Sequence, residues 1–220
     1  MKVTFEDIKN NEEIRMCIIR GDELLNMCGY TEHSFVHAGF VSNRAASILQ
    51  DLGYNEKHIE LARIAGYIHD IGNMVNRNDH AQSGAILAYN ILIRMGMDIA
   101  DAVTVASAVG NHDEGTGNAV DPVSAALILA DKSDVRNSRV RRKNTVSYDI
   151  HDRVNFAVKK SDVIINNDEG AICLNMEIDT GISSVMDYFE IFLNRMLMCR
   201  KSAEFFGMKL IITANNMRLL

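Results

Sequence analysis

The sequence predicts a mainly α-helical domain followed by a small C-terminal α+β appendage. Two observations carry that expectation. Up to about residue 140, apolar residues recur at three- and four-residue intervals, the period of an amphipathic helix. Beyond Asn144, short β-branched runs bracket a glycine-bearing polar turn, the pattern of a hairpin. The expected division is therefore a helical domain over 1–144 and an appendage over 145–220.

Each element has its own signal. Ile14, Ile18 and Leu25, with Met16 and Ile19, mark a first helix. Thr31 is placed to cap a second, on which His37, Val41, Ala45 and Ile48 share one stripe before Gly53. Asn55 caps a third, with Ile59, Ala62, Ala65 and Ile68 or His69 facing inward. Ala85, Tyr89, Leu92 and Ile93 define a fourth, stopped by Gly96. A fifth starts near Asp98 and runs through Val103 and Ala106 to Gly110. Asp121-Pro122 opens a sixth, since Asp suits the cap and Pro the first turn; it is expected to reach about Val135. In the appendage, Phe156-Ala157-Val158 with Val163-Ile164-Ile165, and Ala171 to Met176, read as strands around the turn Asn166 to Gly170. Ser183 to Phe206 reads as a long helix and Met208 to Thr213 as a last strand.

Composition narrows the function. Of 220 residues, 47% are apolar, enough for a sizeable core. No apolar stretch is long enough to span a bilayer, and the acidic start Val3-Thr4-Phe5-Glu6-Asp7 lacks a signal-peptide core, so no membrane partner and a cytoplasmic location are expected. Cys17, Cys28, Cys173 and Cys199 are scattered without a C-x-x-C pair and read as small hydrophobes. A net charge of −6 disfavours general nucleic-acid binding. One basic run, Lys132, Arg136, Arg139, Arg141, Arg142 and Lys143, follows Asp131 directly and keeps phosphate contact in view. No phosphate-binding Gly-x-x-x-x-Gly-Lys loop is present, and no Ser-His-Asp or reactive-cysteine arrangement is evident.

The chemistry lies in a dispersed set of ligand-type residues: His37, His69-Asp70, His80, His112 and Asp131, each on or beside a helical apolar pattern. Imidazole and carboxylate together suit divalent metals such as Fe, Mn, Zn, Co or Ni. The dipeptide His-Asp is cheap, occurring also at His112-Asp113 and His151-Asp152. The first copy stands apart because it closes the run Ile64 to Ile68 and continues into Ile71-Gly72, where glycine matches a left-handed helix terminator. Asp131 emerges from the apolar run Ala126 to Ala130, where an unpaired carboxylate is costly to bury, so a cation partner is expected.

This order, H…HD…H…H…D, resembles the HD-domain superfamily of metal-dependent phosphohydrolases over roughly residues 30–136. The resemblance implies a helical bundle holding two divalent metal ions, with His37, His69, Asp70, His80, His112 and Asp131 as ligands and Asp70 bridging. It implies hydrolysis of a small phosphoester, a nucleotide or related molecule, by a hydroxide shared between the metals. The chain departs from the branch that cleaves cyclic di-GMP: it has Asn111-His112 for adjacent histidines and Gly115-Thr116-Gly117 for Gly-Tyr-Pro. It also has Asn73 where many relatives carry a phosphate-contacting lysine. Asn73, Arg77, Lys132 and Arg136 are the candidate phosphate contacts, and His33 and Asp113 the candidate proton relays beside Asp70. The same ligands also suit a mixed-valence di-iron oxygenase of this fold, or a non-catalytic nucleotide- or metal-binding regulator. The appendage is expected to form a homodimer contact or a wall of the cleft.

Overall fold

A computed structural model describes residues 3–141 and 150–220. Nine α-helices precede and interrupt a four-stranded sheet among these residues: α1 (Phe5–Asn10), α2 (Glu12–Met27), α3 (Phe35–Asp51), α4 (Glu56–Ile68), α5 (His80–Arg94), α6 (Ile99–Gly110), α7 (Pro122–Lys132), α8 (Ile150–Ala157), β1 (Val158–Asn166), β2 (Ala171–Ile178), α9 (Val185–Phe205), β3 (Lys209–Ala214) and β4 (Met217–Arg218). The expected division at residues 144 and 145, and Arg142 and Lys143 of the basic run, lie outside the described residues.

Helix α7 is the axis of the molecule. Every residue from Val123 to Ala130 is buried, so this helix is enclosed on all sides, as an apolar all-round helix must be. It packs against α3, α4, α6 and α9. Asp121 caps it through the Ser124 amide, Ser124 returns the bond in a capping box, and Pro122 occupies the first turn. The helix ends at Lys132, earlier than the apolar pattern implies, because Ser133 turns its hydroxyl back onto the Leu129 and Ala130 carbonyls.

Helices α3 and α4 lie close because Gly66 faces Ser42, where an added Cβ would come within 2.7 Å of the Ser42 Cα. Asn55 caps α4 as expected, accepting from the His58 amide. Ser34, not Thr31, caps α3: its hydroxyl accepts from the Val36 amide. Its neighbour His33 therefore lies just before the cap, not on the helix with His37.

The C-terminal part is richer than its sequence pattern. Phe156 and Ala157 belong to α8, which breaks into β1 without a loop. β1 and β2 form the expected hairpin, and β3 joins β2 in parallel through α9. A tight turn at Asn215 and Asn216, both with positive φ, adds β4. One hydrophobic cluster runs from Ile14 and Leu127 through Tyr188 and Phe192 to Ile212, so both parts share a core. No helix among the described residues is long and apolar enough to cross a membrane.

Candidate metal centre

Six side chains from five segments converge at the end of α7. His37 comes from the first turn of α3, His69 and Asp70 from the end of α4, His80 from the first residue of α5, His112 from just beyond α6, and Asp131 from the last turn of α7. Their ligand atoms fall into three overlapping groups, His37–His69–Asp70, His69–His112–Asp131 and Asp70–His80–His112, each within 4.8 Å. Asp70 divides its oxygens between them. Its Oδ2 lies 3.1 Å from His69 Nε2 and 3.6 Å from His37 Nε2. Its Oδ1 lies 3.4 Å from His80 Nε2 and 3.8 Å from His112 Nε2. Asp131 Oδ1 completes the first half, 3.4 Å from His37 Nε2 and 3.6 Å from His69 Nε2.

The outer nitrogens explain why a cation fits here. His69 Nδ1 donates to the Gly66 carbonyl at 2.8 Å, His80 Nδ1 to the Arg77 carbonyl at 3.0 Å, and His112 Nδ1 to the Val109 carbonyl at 2.6 Å. A carbonyl cannot donate, so each Nδ1 must carry the proton. His37 Nδ1 meets the carboxylate of Asp134 at 2.7 Å with the same consequence. All four neutral rings then point Nε2 lone pairs inward, with His37 and His69 only 3.2 Å apart and His80 and His112 also 3.2 Å apart. Lone pairs opposed at that distance repel unless a cation or proton lies between them. The residues present therefore fit divalent metal.

The electrostatics agree. Burial opposes charge on His69, yet Asp70 and Asp131 reverse it and lift its pKa to about 10, so a proton substitutes for the cation. Desolvation opposes ionisation of the partly buried Asp70 and Asp131, but His69 and the other imidazoles around Asp70, and Lys132 with His37 and His69 around Asp131, hold both well below the ordinary carboxylate range. His80 is the contrast: burial, with His112 and Arg77, pushes it down to about 4 and keeps it neutral.

Gly72 occupies a short 3₁₀ turn, Ile71–Met74, and its φ is not positive, contrary to the left-handed terminator expected. Its absent side chain serves packing. A Cβ would sit 2.0 Å from the His80 carbonyl oxygen and 2.5 Å from the Gly84 nitrogen. Glycine thus lets the start of α5 press against the end of α4, bringing His80 to Asp70.

A cavity of about 510 Å³ opens onto the cluster. Among the sequence candidates, Asp70, His80, His112 and Asp131 of the cluster line it, with His33, Arg77, Asp113 and Lys132 around them. His33 donates from Nδ1 to the Thr31 carbonyl at 2.7 Å, and burial, with Arg139, holds its pKa well below the ordinary value. Asp113 Oδ1 lies 3.9 Å from His80 Nε2. Lys132 Nζ bonds Asp131 at 2.8 Å, and Arg77 lies against His80 with no carboxylate partner among the described residues.

Two expected phosphate contacts are not in the cavity wall. Asn73 is buried behind Asp70, donating to the Asp70 carbonyl at 3.0 Å and to its Oδ1 at 2.8 Å; it holds the bridging carboxylate instead. Arg136 is committed to Asp134 through Nε at 2.5 Å and Nη2 at 2.9 Å, and lies over Phe40.

Sequence reasoning missed Asp134, which clasps His37; Arg139, read as part of the basic run, supports it, its Nη1 donating to the Asp134 carbonyl at 2.7 Å. The appendage, expected as a homodimer contact or a wall of the cleft without named residues, lines the cavity through His151 and Asn155 of α8, and Phe192 and Arg195 of α9. The only sequence signal for Asp134 is its place three residues after Asp131.

Residues 35–137 match the family described as HD domain. An uncharacterized protein of Methanocaldococcus jannaschii is 25% identical over 174 residues, which cover 68% of this chain. The match spans 66% of that relative, just under two thirds of its length. A crystal structure of a predicted HD superfamily hydrolase from an uncultured Thermotogales bacterium aligns with a TM-score of 0.45 and 26% identity, covering 56% of this chain and 67% of that one.

Proposed function

The chain carries an HD domain over residues 35–137, and we propose that it is a metal-dependent phosphohydrolase acting on a small phosphoester, a nucleotide or related molecule. The observation that carries this reading is the set of four Nδ1-anchored imidazoles whose Nε2 atoms converge around the divided carboxylate of Asp70. The first ion would be held by His37, His69, Asp70 and Asp131, the second by Asp70, His80 and His112. Bound there, two divalent ions would acidify a shared water and neutralise charge on a phosphoryl group.

The chain's own residues supply the rest. Arg77 has no carboxylate partner among the described residues and lines the cavity beside His80, so its guanidinium is the natural contact for a phosphoryl oxygen. Lys132 is tied to Asp131 and adjusts charge at the ligand more than it binds substrate. His33 is neutral, with Nδ1 protonated, which leaves Nε2 as a proton acceptor. Asp113 is ionised and partly exposed, so beside His80 it is a proton acceptor.

The test is elemental analysis of protein purified without added metal, paired with the His69→Ala, Asp70→Ala double variant and an assay of phosphoester turnover. About two metal equivalents and turnover, both lost in the variant, are expected. Native protein that takes up none of Mn, Fe, Co, Ni or Zn sinks the reading. Metal-loaded protein that consumes O₂ with substrate and releases no phosphate replaces it with the oxygenase.

A further inference from the structure

The C-terminal helices do more than cover the cavity. Helix α8 presents His151 and Asn155, one turn apart, and α9 presents Phe192 and Arg195, also one turn apart, so one face of each helix forms the wall. α9 is kinked there: Phe192 has non-helical φ and ψ of −111° and 19° inside the helix. Asn155 is buried, and its Nδ2 donates to the His151 carbonyl at 2.9 Å.

Arg195 is held on two sides. Its Nε donates to Glu114 Oε1 at 2.7 Å, tying α9 to the loop after α6, and its guanidinium lies 4.3 Å from the centroid of the Phe192 ring. Neither Nη atom has a partner among the described residues. A guanidinium fixed along one edge and one face, with its two-nitrogen edge left over, is pre-organised for a planar or tetrahedral anion.

The wall also discriminates between kinds of substrate. Phe192 is covered by Arg195, and Tyr30, on the opposite rim, is approached by Arg77 at 5.7 Å. Each of these two rings thus has a cation over one face. Of the lining cations, Lys132 is tied to Asp131 and Arg139 to Asp134, which leaves Arg77 and the Nη edge of Arg195 to meet anionic groups of a substrate.

We propose that Arg195, positioned by Glu114 and Phe192, is a specificity-determining residue that binds a second anionic group of the substrate, so that the site selects small phosphoesters carrying a second phosphate or a carboxylate. This rests on the phosphohydrolase reading for the place of the first phosphate. It makes the C-terminal part a component of the site.

The probes are two non-hydrolysable series: unbranched ω-phosphonocarboxylates of increasing chain length, and alkylphosphonates of the same lengths. Binding to metal-loaded wild type, Arg195→Ala and Arg195→Lys is measured by calorimetry, with circular dichroism as the folding control. At one chain length the carboxylate should tighten binding about tenfold or more, as charge-assisted hydrogen bonds do. Arg195→Ala should abolish that gain and leave alkylphosphonate affinity unchanged; Arg195→Lys should keep part of it. No gain at any length, or a gain that survives Arg195→Ala in folded protein, overturns the proposal. Failure of alkylphosphonates themselves to bind marks failure of the phosphate site, and removes both readings together.

Discussion

Asp134→Asn separates the support of the cluster from the cluster itself. Asp134 is fully buried and does not line the cavity at the cluster. Burial opposes its ionisation, yet the His37 bond, Arg139 and Arg136 overcome that and hold its pKa far below a free carboxylate. Its charge fixes the His37 proton on Nδ1 and strengthens Nε2 as a donor to metal. Asparagine keeps the shape and one acceptor oxygen but removes the charge. Loss of such a partner weakens metal binding about 10- to 100-fold, or roughly 1.4–2.7 kcal/mol. His37 belongs only to the group with His69 and Asp70, and is absent from the Asp70–His80–His112 group. One of two ions should therefore weaken and the other hold. Chelator competition followed by elemental analysis reads this as two midpoints in the variant against a tighter pair in the native protein. Equal weakening of both ions, or none, refutes the argument. Asp134→Ala is the harsher control: it leaves Arg139 buried without its carboxylate, a loss of about 3–5 kcal/mol in stability.

Three further outcomes follow from the same geometry. Gly72→Ala places a Cβ against backbone on two sides, so α5 must move; about 3 kcal/mol of stability should be lost, a fall of roughly 6–12 °C in Tm, together with the His80–His112 half of the metal complement. Retention of full metal content would show that the close approach does not matter. Arg77→Ala should keep its metal and lose about 10- to 100-fold in kcat/KM toward a phosphoester, with Arg77→Lys intermediate; unchanged kinetics would remove Arg77 as the phosphate contact. His69 has a pKa raised to about 10, so at neutral pH the metal-free site holds a proton there that metal must displace. Metal binding should release about one proton and tighten as pH rises from 7 toward 9, read by calorimetry in buffers of different ionisation enthalpy. Zero release, or binding that strengthens as pH falls, contradicts the assignment.

The helical half was legible because local and global signals coincide there. Asn55 and Asp121-Pro122 act at the caps their types suggest, and Gly96 ends α5 with a positive φ. The misses are places where one residue type serves two purposes. Thr31 and Ser34 are both capping residues, and only the structure shows which hydroxyl meets an amide. Gly72 looks like a helix terminator, yet its work is to admit the His80 carbonyl, a contact with a segment eight residues away. Phe156-Ala157-Val158 is apolar in either helix or strand, and the change from one to the other falls inside that run.

For the site, the inner shell was readable and the outer shell was not, for one physical reason. A ligand histidine betrays itself as a polar residue in an apolar stripe, as His37 does among Val41, Ala45 and Ile48. The residues that orient it are backbone carbonyls or carboxylates whose neighbours look like ordinary loop, so Asp134 is invisible among Ser133, Val135 and Arg136. The same blindness extends across the chain. Glu114 and Arg195 stand far apart in sequence, and nothing local marks either one. Yet their bond joins the loop after α6, beside His112, to the helix that closes the cavity. Glu114 meets only the Nε edge of Arg195, so the part of this guanidinium that the pairing leaves over is the Nη edge, and it is there that the second anion proposed above would bind.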